Sequence, residues 1–134
     1  MIKKIVHQDT LIAIIIPAEF KQNGIEFFTP REFSQQLAYM NRPAGYKIPP
    51  HVHRPVNRSI INTLEVLYIK KGKVKIDFFT QDRAFISDCI LNTGDIILLA
   101  AGGHGFTMLE DSEMIEVKQG PYAGDEDKVR FEGI

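Results

Sequence analysis

His51 and His53, two histidines separated by one residue, are the side chains in this sequence best suited to bind a metal ion. They end a segment that begins at Gly45 and reads GYKIPPHVH. If residues 47 to 53 form a strand, both imidazoles project from one face, with roughly 7 Å between their Cα atoms. Two histidines at this spacing are more often surface residues without a ligand, so a metal site needs further donors.

Glu65 supplies one further donor. It begins an apolar segment in which Leu67 and Ile69 lie on the same face, so its carboxylate is expected to point toward the core. A carboxylate in that position must be paired. Its partner is either a metal ion held by the histidines or the guanidinium group of Arg54 or Arg58.

His104 supplies a third imidazole from a distant part of the chain. It follows the glycine pair at 102 and 103 and shares a face with Phe106 and Met108 if that stretch is extended. One histidine on an apolar face is usually a core residue, but here several donors occur together. His51, His53, Glu65 and His104 are therefore candidate ligands for one divalent metal ion.

The elements that must position these residues are predicted to be strands. Apolar residues recur with period two in short stretches separated by glycine, proline or Asp/Asn clusters, which indicates an antiparallel sandwich or barrel. Ten strands are predicted: Leu11 to Ile16, Ile25 to Phe28, Gln36 to Arg42, Lys47 to His53, Glu65 to Lys70, Lys73 to Thr80, Arg83 to Ile90, Asp95 to Leu99, Gly105 to Leu109 and Glu113 to Lys118.

One short helical turn and one alternative to a strand accompany this pattern. Thr29 can cap a short helical turn with Pro30 at its first position and Glu32 completing a capping box. Residues 33 to 40 fit a longer helix as well as a strand, because Phe33, Leu37 and Met40 recur at helical spacing.

Composition excludes several classes of partner. The sequence has 134 residues, 16 basic and 17 acidic side chains and a formal net charge of -1, so no broad positive field favours nucleic acid. The apolar run Leu11 to Ile16 is far shorter than the roughly 20 residues of a membrane-spanning helix. A single cysteine, Cys89, cannot form an internal disulfide, and the sequence predicts a cytoplasmic protein.

The residues resemble the cupin superfamily over roughly positions 37 to 118. Gly45 through His53 and Glu65 through Gly72 are similar to the two halves of the first cupin motif, and Gly94 through His104 to the second. The resemblance implies an all-β, cupin-type jelly-roll β-barrel of two antiparallel sheets. The length and hydrophobic content of the sequence predict one domain over residues 1–134, with N-terminal strands in 1–36 and an irregular tail over 119–134.

The sequence differs from the usual cupin pattern in spacing and in several residues. Eleven residues separate His53 from Glu65, where cupins usually have three or four, so residues 54–63 form an inserted loop beside the site. Ala100 replaces the usual proline, Met108 replaces an asparagine, and His104 comes one residue early.

The resemblance implies a divalent ion in the barrel mouth. Three histidines and one glutamate suit iron, manganese, nickel or zinc, and leave two coordination positions for water or substrate. Candidate ligand-binding side chains are Arg54, Arg58, Tyr46 and Phe106, the arginines because their planar donors fit a carboxylate or phosphate. Plain solubility explains the loop arginines equally well. No residue is assigned as catalytic.

Three functional hypotheses follow. The first is a metal-dependent enzyme acting on a small polar metabolite such as a sugar or nucleotide sugar, of isomerase, epimerase or dioxygenase type. The second is a non-catalytic module that binds a metal or small ligand, and the third is an empty barrel. A homodimer is also predicted, because Val66 and Tyr68 are apolar opposite Leu67 and Ile69, and Leu11 to Ile16 is apolar on both faces.

Overall fold

Strands make up nearly all the regular structure of this chain, as the alternating sequence predicts. The computed structural model describes residues 1–133, which form ten strands and one 3₁₀ turn at Gly124–Asp127. The strands are β1 (Lys3–His7), β2 (Thr10–Ile16), β3 (Gly24–Phe27), β4 (Ala38–Asn41), β5 (Glu65–Lys71), β6 (Lys73–Phe79), β7 (Phe85–Asn92), β8 (Ile96–Leu99), β9 (Gly103–Met108) and β10 (Glu113–Lys118).

These strands form three antiparallel sheets. The largest has the order β1-β2-β8-β5-β10, the second the order β7-β6-β9, and the third is the hairpin β3-β4. Within residues 1–133 none of the three closes into a barrel. The prediction of two sheets is corrected to three, because β3 and β4 pair only with each other in the described chain. Of these two strands only Tyr39 packs into the core against the large sheet.

The main core lies between the five-stranded and three-stranded sheets. Alternate residues of β6, namely Val74, Ile76 and Phe78, are fully buried there, opposite Leu67 and Ile69 of β5. Fully burying one such side chain stabilises the fold by roughly 1.5 to 3 kcal/mol. The period-two pattern of these strands is therefore the pattern of one buried face.

A second core covers part of the other face of the five-stranded sheet. Ile14 of β2 and Leu98 of β8 are fully buried in it, and Ile16 is nearly so. The covering side chains come from residues 20 to 39: Phe20, Phe28, Phe33, Leu37 and Tyr39. Strand β2 is apolar on both faces because each face packs against a different layer.

Two turns hold the strands that carry the predicted site. The buried carboxylate of Asp95 accepts hydrogen bonds from the backbone N–H groups of Ala18 and Asn92, at 2.8 and 2.7 Å. Gly72 joins β5 to β6 with a φ of 104°, and a Cβ there would lie 2.5 Å from the carbonyl oxygen of Asp111. Only glycine fits that turn.

Nine of the ten predicted strands correspond to observed ones within a few residues. The predicted strand from Lys47 to His53 is wrong, because Pro49 and Pro50 remove two backbone donors from it. The observed strand β1 was not predicted. Only Ile5 of β1 is buried, and a register shift follows that residue, so its alternation is weak.

A turn forms where the short helical turn was predicted, but Thr29 does not cap it, and the alternative of a longer helix over residues 33–40 is wrong. Residues 38–41 form strand β4, and residues 29–33 form a turn in which the backbone N–H of Phe33 bonds to the carbonyl of Pro30 at 3.1 Å. Instead of capping a helix, the Thr29 hydroxyl donates to the side chain of Gln36 and accepts from the backbone N–H of Leu37. Thr29 thus closes a loop.

A long loop and a polar tail complete the described chain. Residues 42–63 lack regular structure, and every one of them is exposed. Residues 119–133 of the predicted tail are irregular apart from the 3₁₀ turn, and its last position, Ile134, lies outside the described residues. Residues 1–133 contain no helix with the length and apolar character needed to cross a bilayer.

Candidate functional site

Glu65 and His104 meet in the space between the two larger sheets. Glu65 begins β5 and shares a face with the buried Leu67 and Ile69, while His104 lies on β9 and shares a face with Phe106. The Nε2 atom of His104 lies 2.9 Å from Oε1 of Glu65. Two residues 39 positions apart in the sequence therefore come into direct contact, each on the inward face that its strand parity predicts.

The contact keeps the carboxylate of Glu65 ionised. The hydrogen bond from His104 is the main cause that lowers the pKa of Glu65 from 4.5 to about 2, against the opposing effect of burial. Because Nε2 donates its proton to the carboxylate, Nδ1 is the other ring nitrogen available for bonding. The ring of Phe106 packs edge-on against that of His104, with centroids 5.6 Å apart.

Glu116 and Lys118 of β10 adjoin this pair and were not predicted from the sequence. A hydrogen bond to Glu65 raises the pKa of Glu116, and burial and the neighbouring negative charge add to the effect. Lys118 is directly opposite Glu65 in the β5–β10 register, and its charge lowers both pKa values. Alternation along β10 places Glu116 and Lys118 on one face, but the pairing of β10 with β5 cannot be read from the sequence.

His51 and His53 lie apart from that group, in the exposed loop. Their rings contact each other edge-on with centroids 5.3 Å apart, and Nδ1 of His51 bonds to the carbonyl oxygen of Pro49 at 2.9 Å. A carbonyl only accepts, so Nδ1 carries the proton and Nε2 of His51 keeps a free lone pair. Metal-binding histidines commonly have this second hydrogen bond.

The four predicted metal ligands thus form two pairs rather than one group. His51 and His53 contact each other, as do Glu65 and His104. In residues 1–133 no group of three or more His, Cys, Asp or Glu side chains is arranged to hold a metal ion. The donor types suit a transition metal, but the loop histidines do not join the inner pair in this structure.

The predicted ligand-binding residues are also divided between the two places. Phe106 lies beside His104, whereas Tyr46, Arg54 and Arg58 are exposed in the loop. The guanidinium of Arg42 lies 4.6 Å from the centre of the Tyr46 ring. Glu65 forms an ion pair with His104 in the described chain. It forms none there with Arg54 or Arg58, the alternative partners that the sequence offered.

Arg58 lines an open cavity of about 390 Å³ between the loop and the tail. Asp127 lines the same cavity, and its carboxylate accepts a hydrogen bond from the Thr63 hydroxyl at 3.1 Å and lies 3.9 Å from Nζ of Lys118. Lys118 lies between this cavity and Glu65, because it is close to Asp127 on one side and pairs with Glu65 across the strands on the other. Its lining carries charges of both signs.

No family model, curated protein or solved structure matches this chain.

Proposed function

We propose that this protein is a metal-dependent enzyme of the cupin type that acts on a small polar metabolite, such as a sugar or nucleotide sugar. The observation that supports the proposal is the contact between Glu65 and His104. An imidazole and an ionised carboxylate from opposing sheets, both on inward faces, form half of the donor set that the motifs imply. The jelly-roll barrel of the cupins is part of the same proposal.

The other half of the donor set would come from His51 and His53. Both are exposed, and the hydrogen bond of His51 to Pro49 leaves its Nε2 free to bind an ion. The exposed loop from residue 42 to 63 would bring these two imidazoles to the inner pair when metal binds. In that arrangement the four side chains would hold a divalent ion, which would supply Lewis-acid chemistry for an oxygen atom of the substrate.

Four side chains would contribute charge, orientation and substrate binding to this site. Glu65 supplies a negative charge that balances the cation, and its low pKa keeps that charge present at neutral pH. Phe106 packs against the ring of His104 and restricts its orientation. Arg54 and Arg58, exposed in the loop, supply planar donors for an anionic group of the substrate.

Metal titration tests the proposal directly. Protein purified without an affinity tag or chelator is titrated with Mn²⁺, Fe²⁺, Ni²⁺ and Zn²⁺ in a calorimeter, and we expect about one bound ion per chain. His104→Ala and His51→Ala should each weaken binding at least roughly 10-fold, because each removes a ligand. His7→Ala is the matched control and should bind the metal as the natural chain does.

Two results would contradict the metal site. One is a natural chain that takes up none of the four ions at micromolar concentration. The other is equal metal affinity in His7→Ala, His51→Ala and His104→Ala, because it would show that the binding lies elsewhere. Circular dichroism of each variant shows whether an altered affinity reflects lost folding instead.

A non-catalytic binding module is the second candidate. Its support is that Glu65 is ionised at neutral pH and cannot act there as a general acid, and that no other residue is assigned that role. The metal-loaded protein is incubated with a panel of sugars and nucleotide sugars, and bound and released compounds are compared by mass spectrometry and NMR. Conversion supports the enzyme, whereas stoichiometric binding with the compound recovered unchanged supports the module.

A further inference from the structure

The outer face of the five-stranded sheet is apolar across four neighbouring strands. Two rows of directly paired residues cross β2, β8, β5 and β10 in that order. The first row is Ile14, Leu98, Val66 and Val117, and the second is Ile16, Ile96, Tyr68 and Ile115. Side chains in such rows contact their cross-strand neighbours, so this face is one continuous apolar surface.

The chain covers only half of that surface. Ile14 and Leu98 are fully buried under the aromatic residues that precede and include β4, whereas the side chains at the β10 edge are not. Tyr68, Ile115 and Val117 are 38%, 51% and 59% exposed. We call these three residues the edge patch. An apolar sheet face left in water is typical of an interaction surface.

The hairpin β3-β4 carries a second exposed apolar group on its outward side. Ile25 pairs with Met40, and Phe27 lies two residues along β3 on the same face. All three are about half-exposed, while Tyr39, on the opposite face, packs into the second core. We call Ile25, Phe27 and Met40 the hairpin patch.

We propose that this protein forms a two-fold symmetric homodimer in which the hairpin patch of each subunit covers the edge patch of the other. In such a dimer the same two surfaces meet twice, because a contact between residue i and residue j is repeated as one between j and i. Within each subunit, Tyr39 of the hairpin and the apolar residues of the segments beside it cover β2 and β8. The partner's hairpin would extend the same kind of cover over β5 and β10.

The exposed apolar area of the two patches favours this arrangement over a dimer that uses only one patch of each subunit. A half-exposed aromatic or large aliphatic side chain offers on the order of 100 Å², so one patch supplies about 300 Å². Stable interfaces bury about 800 Å² on each partner. A dimer that joins edge patch to edge patch falls well short. Using both patches doubles the apolar area, and the polar residues around them supply the usual rim.

The molecular mass in solution, measured for the natural chain and for variants that each add one charge, tests whether the two patches form the dimer interface. Light scattering at micromolar concentration should give twice the monomer mass for the natural chain. Val117→Lys, in the edge patch, and Phe27→Glu, in the hairpin patch, should each give a monomer, because each buries an unpaired charge. Ile90→Lys is the matched control, since Ile90 is 52% exposed on β7 of the other sheet, and it should remain dimeric.

Mixing the two variants tests the reciprocal arrangement. In a mixed dimer of Phe27→Glu and Val117→Lys, one contact pairs Glu with Lys and the other is native. The mixture should therefore recover the dimer mass that neither variant shows alone. Far-ultraviolet circular dichroism and thermal unfolding of each variant confirm that it is folded.

Three outcomes would overturn the proposal. A monomeric natural chain shows that this face has another partner or none. A dimer that survives in either folded charge variant shows that the interface lies elsewhere. Monomeric variants whose mixture stays monomeric show that the two patches do not meet each other. None of these outcomes depends on metal binding, so they are distinct from a failure of the proposed function.

Discussion

At the residue scale, the pairing of Glu65 with His104 makes stability depend on pH. The pKa of Glu65 is about 2 in the folded protein and 4.5 in the unfolded chain. The pairing therefore contributes its full share of the folding free energy above about pH 4.5, and this contribution is lost as the pH falls toward 2. In the metal-free protein, His104→Ala should lower the free energy of unfolding by about 1 to 3 kcal/mol at neutral pH, because it leaves a partly buried carboxylate without its main donor. Denaturant unfolding measures this loss.

The pH dependence of the stability loss in His104→Ala shows whether the loss comes from the charge pairing or from lost packing. The difference between the natural chain and His104→Ala should shrink between about pH 4.5 and pH 2, and Glu65→Gln should follow the same trend. Glu113→Gln changes an exposed glutamate of β10 and serves as the control. A difference that is equally large near pH 2 and at neutral pH would show that His104 stabilises the fold by packing against Phe106 alone.

Single residues also show what could be predicted from the sequence. The inward direction of Glu65 and His104 follows from parity, because Leu67, Ile69 and Phe106 are apolar and two positions away from them. Glu116 could not be found in this way. It reaches Glu65 only through the pairing of β10 with β5, a contact between segments roughly 50 residues apart, which local alternation does not encode.

At the element scale, residues 42–63 form the longest run of exposed residues within residues 1–133. Every residue in this loop is exposed, which makes it the expected site of proteolysis. Trypsin should cut the folded protein after Lys47 and Arg58. It should spare Arg42 and Arg54, because each of these precedes a proline. Mass spectrometry of early digests identifies the cuts.

Metal should protect the loop if His51 and His53 bind the ion. With saturating metal, cleavage within the loop should slow at least roughly 10-fold in the natural chain, since the bound state holds the loop against the domain. The double variant His51→Ala and His53→Ala should gain no protection, and a small chromogenic substrate controls for metal effects on trypsin itself. Equal protection of both proteins would contradict a role for the loop histidines.

The same loop shows why some elements were wrongly predicted. Pattern alone assigned residues 47–53 to a strand, although Pro49 and Pro50 cannot donate to a neighbouring strand. The strands β5 and β6 were predicted well, since each has one buried face and therefore a clear period of two. Strand β8 is apolar on both faces, and its short apolar run between turn residues indicates a strand buried between two layers. Which strands pair, and hence the separation of β3 and β4 into a third sheet, depends on long-range contacts that the period does not specify.

At the scale of the whole molecule, no backbone hydrogen bonds between strands connect the two larger sheets within residues 1–133. In residues 1–133 no strand is shared between them, so side chains in the core between them are their main connection. Glu65 on one sheet and His104 on the other form a polar link across that core. An ion bound by these two residues would therefore join the sheets as well as complete a site.

Metal binding should accordingly raise the temperature of global unfolding. An ion present at about 100 times its dissociation constant adds roughly 2.7 kcal/mol, which corresponds to a rise on the order of 10 °C for a domain of this size. Differential scanning calorimetry measures the shift. His7→Ala should show the full rise. His104→Ala, whose binding is at least roughly 10-fold weaker, should show about half of the rise or less at the same ion concentration. A rise of equal size in His104→Ala would mean that the ion stabilises the fold without bridging β5 and β9.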